Sequence, residues 1–181
     1  MKLLRNRAFA ISVMVLLILG SLGLGGHWSA AKLRASAAAV FEVGQGLVDK
    51  GVQYDLNRCL AVSHNLLTVA SRYPVDEQTT VAITEAQAAL ERAATPGAKY
   101  DAYRQLQDGC EALYRALQPL PLDARDVTYR EELHADLLSI DATIRRSVYN
   151  TAAAAFNDIL GRFPANLLGK GTGVRTLELF E

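Results

Sequence analysis

Residues 133–159 read LHADLLSIDATIRRSVYNTAAAAFNDI, and the spacing of the apolar side chains in this stretch decides the fold class. Leu133, Leu137, Ile140, Ile144, Val148, Ala152, Ala155 and Ile159 recur every three or four residues. On an α-helix they form one stripe, with Arg130, Glu131, Asp141 and Arg145 on the opposite face. No strand-like alternation of any length is present, and no repeat of fixed period. The chain therefore reads as all-α. Aromatics make up only 7% of it, which suits closely packed, alanine-rich helices better than a sheet.

Outward from this stretch, the prolines set the element boundaries. All five (Pro74, Pro96, Pro119, Pro121 and Pro164) fall between helical patterns, as expected of a residue that lacks a backbone donor and clashes inside a helix. They divide the chain into helices near 30–73, 76–94, 97–118 and 123–162, followed by a tail. Asp76 and Asp123 stand where an N-cap carboxylate can accept from free backbone N–H groups, and Thr95-Pro96 pairs an N-cap with proline in the first turn. The expected architecture is an antiparallel four-helix bundle of two long and two shorter helices. Gly44, Gly46 and Gly51 weaken the first long helix, which either bends there or admits another helix closely. Val48, Val52, Leu56, Cys59, Leu66 and Ala70 still form a stripe.

The N-terminus carries a different signal. Ala8–Gly26 reads AFAISVMVLLILGSLGLGG without a charge. As a helix it is roughly 28 Å long, close to the ~30 Å hydrocarbon thickness of a bilayer. Lys2, Arg5 and Arg7 precede it and Trp28 stands at its exit, so the positive-inside rule keeps residues 1–7 in the cytoplasm. The expected layout is a cytoplasmic segment 1–7, a transmembrane signal anchor 8–26, an extracytoplasmic bundle 27–163 and a tail 164–181. A cleaved signal peptide is the competing reading, although its apolar region is usually shorter.

Charge and motifs exclude several function classes. Three of the 19 basic residues precede the apolar run, leaving 16 against 19 acidic ones and no basic stripe for nucleic acid. Cys59 and Cys110 belong to no metal or redox motif. Helix lengths place them roughly 13 Å apart in height, beyond the ~7 Å a disulfide tolerates, so both thiols are expected to be free. Glu131 and His134 form a Glu-x-x-His on a helix, but the second such pair of a di-iron bundle is missing, and a solvated face is the expected role. The GKGT at 169–172 lacks the upstream glycine and strand of a phosphate loop. No catalytic, cofactor-binding or metal-binding residue is assigned.

The C-terminal third is the informative part. Tyr149-Asn150, Phe156-Asn157 and Phe163-Pro164 recur every seven residues, nearly two helical turns. Tyr149, Phe156 and Phe163 should therefore line one edge, with Asn150 and Asn157 beside them. The expected use is an aromatic packing seam, its asparagines bonding to a neighbouring helix or loop. The run from Tyr149 to Glu181, with its two aromatic-Asn pairs, Phe163-Pro164 and closing Phe180-Glu181, resembles the C-terminal signature of the LemA family of bacterial envelope proteins. Asn65 to Glu77 and Leu120-Pro121 with Tyr129 are similar to two further family junctions. Ala61 and His64 stand where the family usually has Asp and Pro, which marks a divergent member. The resemblance implies an N-terminal anchor in the bacterial inner membrane, a helical bundle outside the cytoplasm and no catalytic residues. One relative, a magnetosome-membrane protein, implies scaffolding. Two functions follow as expectations: a membrane-tethered scaffold for envelope or membrane proteins still unidentified, or a ligand-binding bundle acting through a membrane partner. A polar pocket near Asn150, Asn157 and Arg162 would favour the second.

Overall fold

The computed structural model describes residues 7–46, 50–163, 165–166 and 173–181, and these contain six helices and no strand. They are α1 (Arg7–Val43), α2 (Val52–Ala70), α3 (Glu77–Arg92), α4 (Pro96–Leu117), α5 (Ala124–Ile144) and α6 (Tyr149–Gly161). The chain falls into two compact units: Met1–Ala38 with Ala152–Leu177, and Ala39–Thr151 with Glu178–Glu181.

The second unit holds the antiparallel bundle, built from α2, α3, α4 and α5, with α3 packed chiefly on α4 and α2 on α5. Its core is one stripe from each helix: Leu56, Cys59 and Leu66; Ile83; Leu106, Cys110 and Leu113; and Ile140, all at most 1% exposed. Gly109 lets α3 and α4 approach closely, since a Cβ there would lie 2.9 Å from Ile83 Cγ1. Both cysteines are buried and free, as expected, and burial pushes each thiol up to about 12. Asp126, 2% exposed, ties the end of α2 to the start of α5: it accepts from Arg72 at 2.6 Å and from the Tyr73 hydroxyl at 2.7 Å. The Tyr73 hydroxyl in turn accepts from the Asp123 amide at 3.1 Å. The hydrogen bond from Tyr73, reinforced by Arg72, holds the Asp126 carboxyl below its ordinary range against the opposing effect of burial.

Asp76 and Thr95 cap α3 and α4 as the sequence suggests, accepting from Gln78 and Ala98. Asp123 stands at the N-cap of α5, but its side chain makes no capping bond.

Both of the long helices expected from the sequence are broken. The first ends at Val43 and restarts at Val52, because Gly44, Gly46 and Gly51 take φ values of 72°, 79° and 82° that other residues rarely adopt. At Gly51 a Cβ would also stand 2.7 Å from the Gly44 nitrogen. Val48 lies outside the described residues. The second break, between Ile144 and Tyr149, has neither proline nor glycine. There the chain tightens through Arg146 N–H to Thr143 O and Ser147 N–H to Ile144 O, and Ser147 Oγ accepts from the Tyr149 N–H at 3.2 Å, serving a free donor of the new helix. The break rotates the apolar face: Leu137, Ile140 and Ile144 are buried, but Val148 and Ile159 are exposed, and α6 buries Tyr149, Ala153, Phe156 and Leu160 instead.

In the first unit, α1 carries Ile11, Met14, Leu16, Leu17, Leu24 and Trp28 exposed. Among the described residues no helix is long and apolar enough to cross a membrane. The side chains at 8–10, 18, 19, 22 and 23, part of the apolar run read from the sequence, lie outside the described ones.

Candidate functional site: amide clasps and a charged cleft

Two asparagines of α6 grip the tail through its backbone. In the first unit Asn157 Nδ2 donates to the Leu177 carbonyl at 2.9 Å, and its Oδ1 accepts from the Leu177 N–H at 2.8 Å. In the second unit Asn150 repeats the pairing on Phe180, at 2.9 Å and 2.8 Å. A carboxamide presents a donor and an acceptor side by side, as a peptide group does, so each asparagine satisfies one tail residue completely. The fixed polarity of that backbone also determines which way each amide faces.

Each unit adds its own contacts. In the second, the Tyr149 hydroxyl donates to the Glu178 carbonyl at 2.6 Å, and Phe180, 6% exposed, sits among aromatic rings. Its centroid lies 5.2 Å from Tyr100, 5.8 Å from Phe41 and 6.0 Å from Tyr103. Phe41 meets Tyr149 edge to face at 5.0 Å. In the first unit Arg34 Nε donates to the Arg175 carbonyl at 2.9 Å, and Leu177 and Phe156 are buried.

The signature residues thus divide. Tyr149, Phe156 and Phe180 are buried, Asn150 and Asn157 are half-buried clasps, and Glu181 is exposed. Phe163 does not join the seam: α6 ends at Gly161, and Phe163 is 79% exposed. Pro164 lies outside the described residues. Glu131 and His134 serve a surface cluster. His134 stacks on Tyr114 at 3.8 Å and bonds Glu111 at 2.9 Å, and Glu131 accepts from the Tyr114 hydroxyl at 3.0 Å. Among the described residues no three His, Cys, Asp or Glu side chains are placed to hold a metal.

Beside the second clasp a cleft of about 540 Å³ opens within the second unit. Tyr100, Tyr103 and Phe180 supply aromatic surface, and Arg104, Asp141, Arg145 and Glu181 supply charge. Asp141 accepts from Tyr103 at 3.0 Å and Arg145 at 2.7 Å, and Gln107 also bonds it. Burial pushes the Asp141 carboxyl up, but these three donors outweigh it and hold the group below its ordinary range. Tyr103 is pushed upward, first by burial and then by Asp141. The sequence places Asp141 and Arg145 on the face opposite the apolar stripe and singles out none of Tyr100, Tyr103 and Arg104. Only the i, i+4 spacing of Asp141 and Arg145 hinted at a fixed charge pair. Asn150 lines the cleft, and its amide is already engaged by Phe180. Asn157 and Arg162 do not line it, and Arg162 is exposed and paired with Asp158.

The paired asparagines, the helix that carries them and the tail they hold all fall inside one family match: the LemA family model covers residues 49–181. The chain belongs to the LemA family. Within that span lie the bundle α2–α5, all of α6 and the tail, whereas α1 precedes it. No curated protein and no solved structure matches the chain. Within the matched span, Asn150 and Asn157 tie the C-terminal tail down through the backbone of Phe180 and Leu177.

Proposed function

We propose that this LemA-family chain is a non-catalytic, membrane-anchored scaffold or adaptor of the bacterial cell envelope. The observation that carries the reading is that five of its signature side chains, Tyr149, Asn150, Phe156, Asn157 and Phe180, are engaged with its own tail and core, with no reactive constellation among the described residues. Asn150 and Asn157 hold backbone, Tyr149 bonds Glu178, and Ser147 Oγ accepts a helix N–H. The uncharged Ala8–Gly26 run after Arg7, with Leu16, Leu17 and Leu24 exposed on α1, supports an anchor with its N-terminus in the cytoplasm. The bundle then lies in the extracytoplasmic space.

The test is fractionation of the full chain expressed in a bacterium. Retention in the membrane pellet after alkaline washing, with the bundle degraded by protease added from outside, fits the anchor. Release by the wash, or full protection in spheroplasts, would sink it. Crosslinking in the native membrane then asks whether specific envelope proteins are captured, and whether N150A/N157A abolishes their capture.

A second reading, a ligand-binding bundle acting through a membrane partner, is favoured by one observation: the charged, aromatic-walled cleft in the second unit.

A further inference from the structure

We infer that this cleft is a binding site for a small organic carboxylate with an aromatic or apolar body, held through Arg104. The inference deepens the ligand-binding reading and rests on it, while the anchor and scaffold reading stands or falls separately.

The argument starts from the charges. Asp141 and Arg145 pair at 2.7 Å, and Asp141 is also held by Tyr103 and Gln107. Arg104 is different. It is half-buried, and among the described residues its hydrogen bonding is a long contact of 3.4 Å from Nη1 to Gln107 Oε1. Among the described residues no carboxylate lies within ion-pair distance of it, Glu181 on the same cleft included. A guanidinium carries five donors in a planar fork, and a partly desolvated one is normally paired. Here the missing partner is an anion, and the fork suits a carboxylate that accepts two parallel bonds.

The walls select the rest of the ligand. Tyr100 is half-buried and Phe180 buried, and their rings stand edge to face at 5.2 Å at the cleft. A flat apolar body can therefore rest against them while its acidic head meets Arg104. The volume of about 540 Å³ falls within the ~300–1,000 Å³ range typical of small-molecule sites. Arg145 has terminal donors beyond the Nε used on Asp141, and both Arg145 and Thr151 line the cleft. Glu181 also lines the cleft and is in no ion pair among the described residues, so it should weaken an anion's binding.

The probes are benzoate and phenylacetate, with benzyl alcohol as the uncharged comparison, titrated into the full-length chain in detergent and followed by NMR shifts and by calorimetry. Both carboxylates should bind at least roughly tenfold more tightly than benzyl alcohol, and R104Q should remove about that factor with an unchanged melting temperature. Glu181→Gln should tighten binding. Added salt should weaken it in the unaltered chain, a measurement that needs no variant to fold. Carboxylates binding no better than benzyl alcohol, equal affinity in folded R104Q, or salt-independent affinity would each overturn the assignment.

Discussion

The two clasps use the same chemistry in different surroundings. Asn157 holds Leu177 and Asn150 holds Phe180 through donor–acceptor pairs of identical length, 2.9 Å and 2.8 Å. The residues they hold differ: Leu177 is an aliphatic side chain 9% exposed, and Phe180 is an aromatic one 6% exposed with three rings within 6.0 Å. The hydrogen bonds are exchanged for water on undocking, so their net contribution is modest. Burial of the side chain at the same position is what distinguishes the two. The amides therefore set where the tail lies, and the apolar side chains set how firmly it stays.

The largest effect expected from this division is on Phe180. Phe180→Ala should lower stability by about 3–5 kcal/mol if the tail and bundle unfold together, and Leu177→Ala by an amount toward the lower end of ~2–5 kcal/mol. Chemical denaturation of the purified chain measures both. Equal losses, or a larger one at Leu177, would break the idea that the aromatic cluster makes the second clasp the stronger. A loss at Phe180 far below this range, with amide exchange in the tail accelerated, would mean that the tail undocks alone and leaves the bundle folded.

The asparagines come next. Each makes two hydrogen bonds worth about 0.5–1.5 kcal/mol net, so Asn150→Ala and Asn157→Ala should each cost ~1–3 kcal/mol, and nearly the same amount. A loss at Asn150 more than about 1 kcal/mol larger would show that the amide and the aromatic rings act cooperatively, as coupled neighbours do. Combining N150A with F180A in a double-mutant cycle then measures that coupling directly.

How much of this was legible in the sequence follows from which signals are local. Proline and cap positions are local, and they placed α3, α4 and the start of α5 well. The glycines at 44, 46 and 51 announced a weakness, although the sequence alone could not distinguish a bend from a full stop with positive φ. The break at 145–148 carried no proline or glycine. A stripe read from Leu133 to Ile159 hides it, because Val148, Ala152, Ala155 and Ile159 continue the period on paper while Tyr149, Ala153, Phe156 and Leu160 are the buried set. An alanine-rich helix offers two nearly equal apolar faces, and tertiary packing chooses between them. The seven-residue spacing of Asn150 and Asn157 was visible as a pattern. Its meaning was not, because the partners are backbone groups 20 and 30 residues away that no side-chain pattern reveals. The cleft was the least legible, since Arg104, Asp141 and Phe180 meet only once the bundle and tail are in place.

The smallest effect separates the two halves of one clasp. Asn157→Asp keeps the acceptor for the Leu177 N–H but sets a carboxylate oxygen against the Leu177 carbonyl. When protonated, the same group regains a donor. The folded state should therefore favour the protonated acid, and the carboxyl should titrate above its unfolded value. A raised folded pKa contributes stability that is fully present below the unfolded pKa and lost as pH rises through the folded one. Relative to the parent, Asn157→Asp should thus recover about 1 kcal/mol on going from neutral to acid pH. The comparison must be made as a difference, because the parent itself loses stability in the opposite direction: Asp126 is held below its ordinary value of 3.8, so its contribution is present above that value and disappears as pH falls through the folded pKa. Asn150→Asp should show the same sign. No recovery at either site, in denaturation curves at matched ionic strength, would mean that the carbonyl half of the clasp contributes nothing and that the N–H acceptor alone holds the tail.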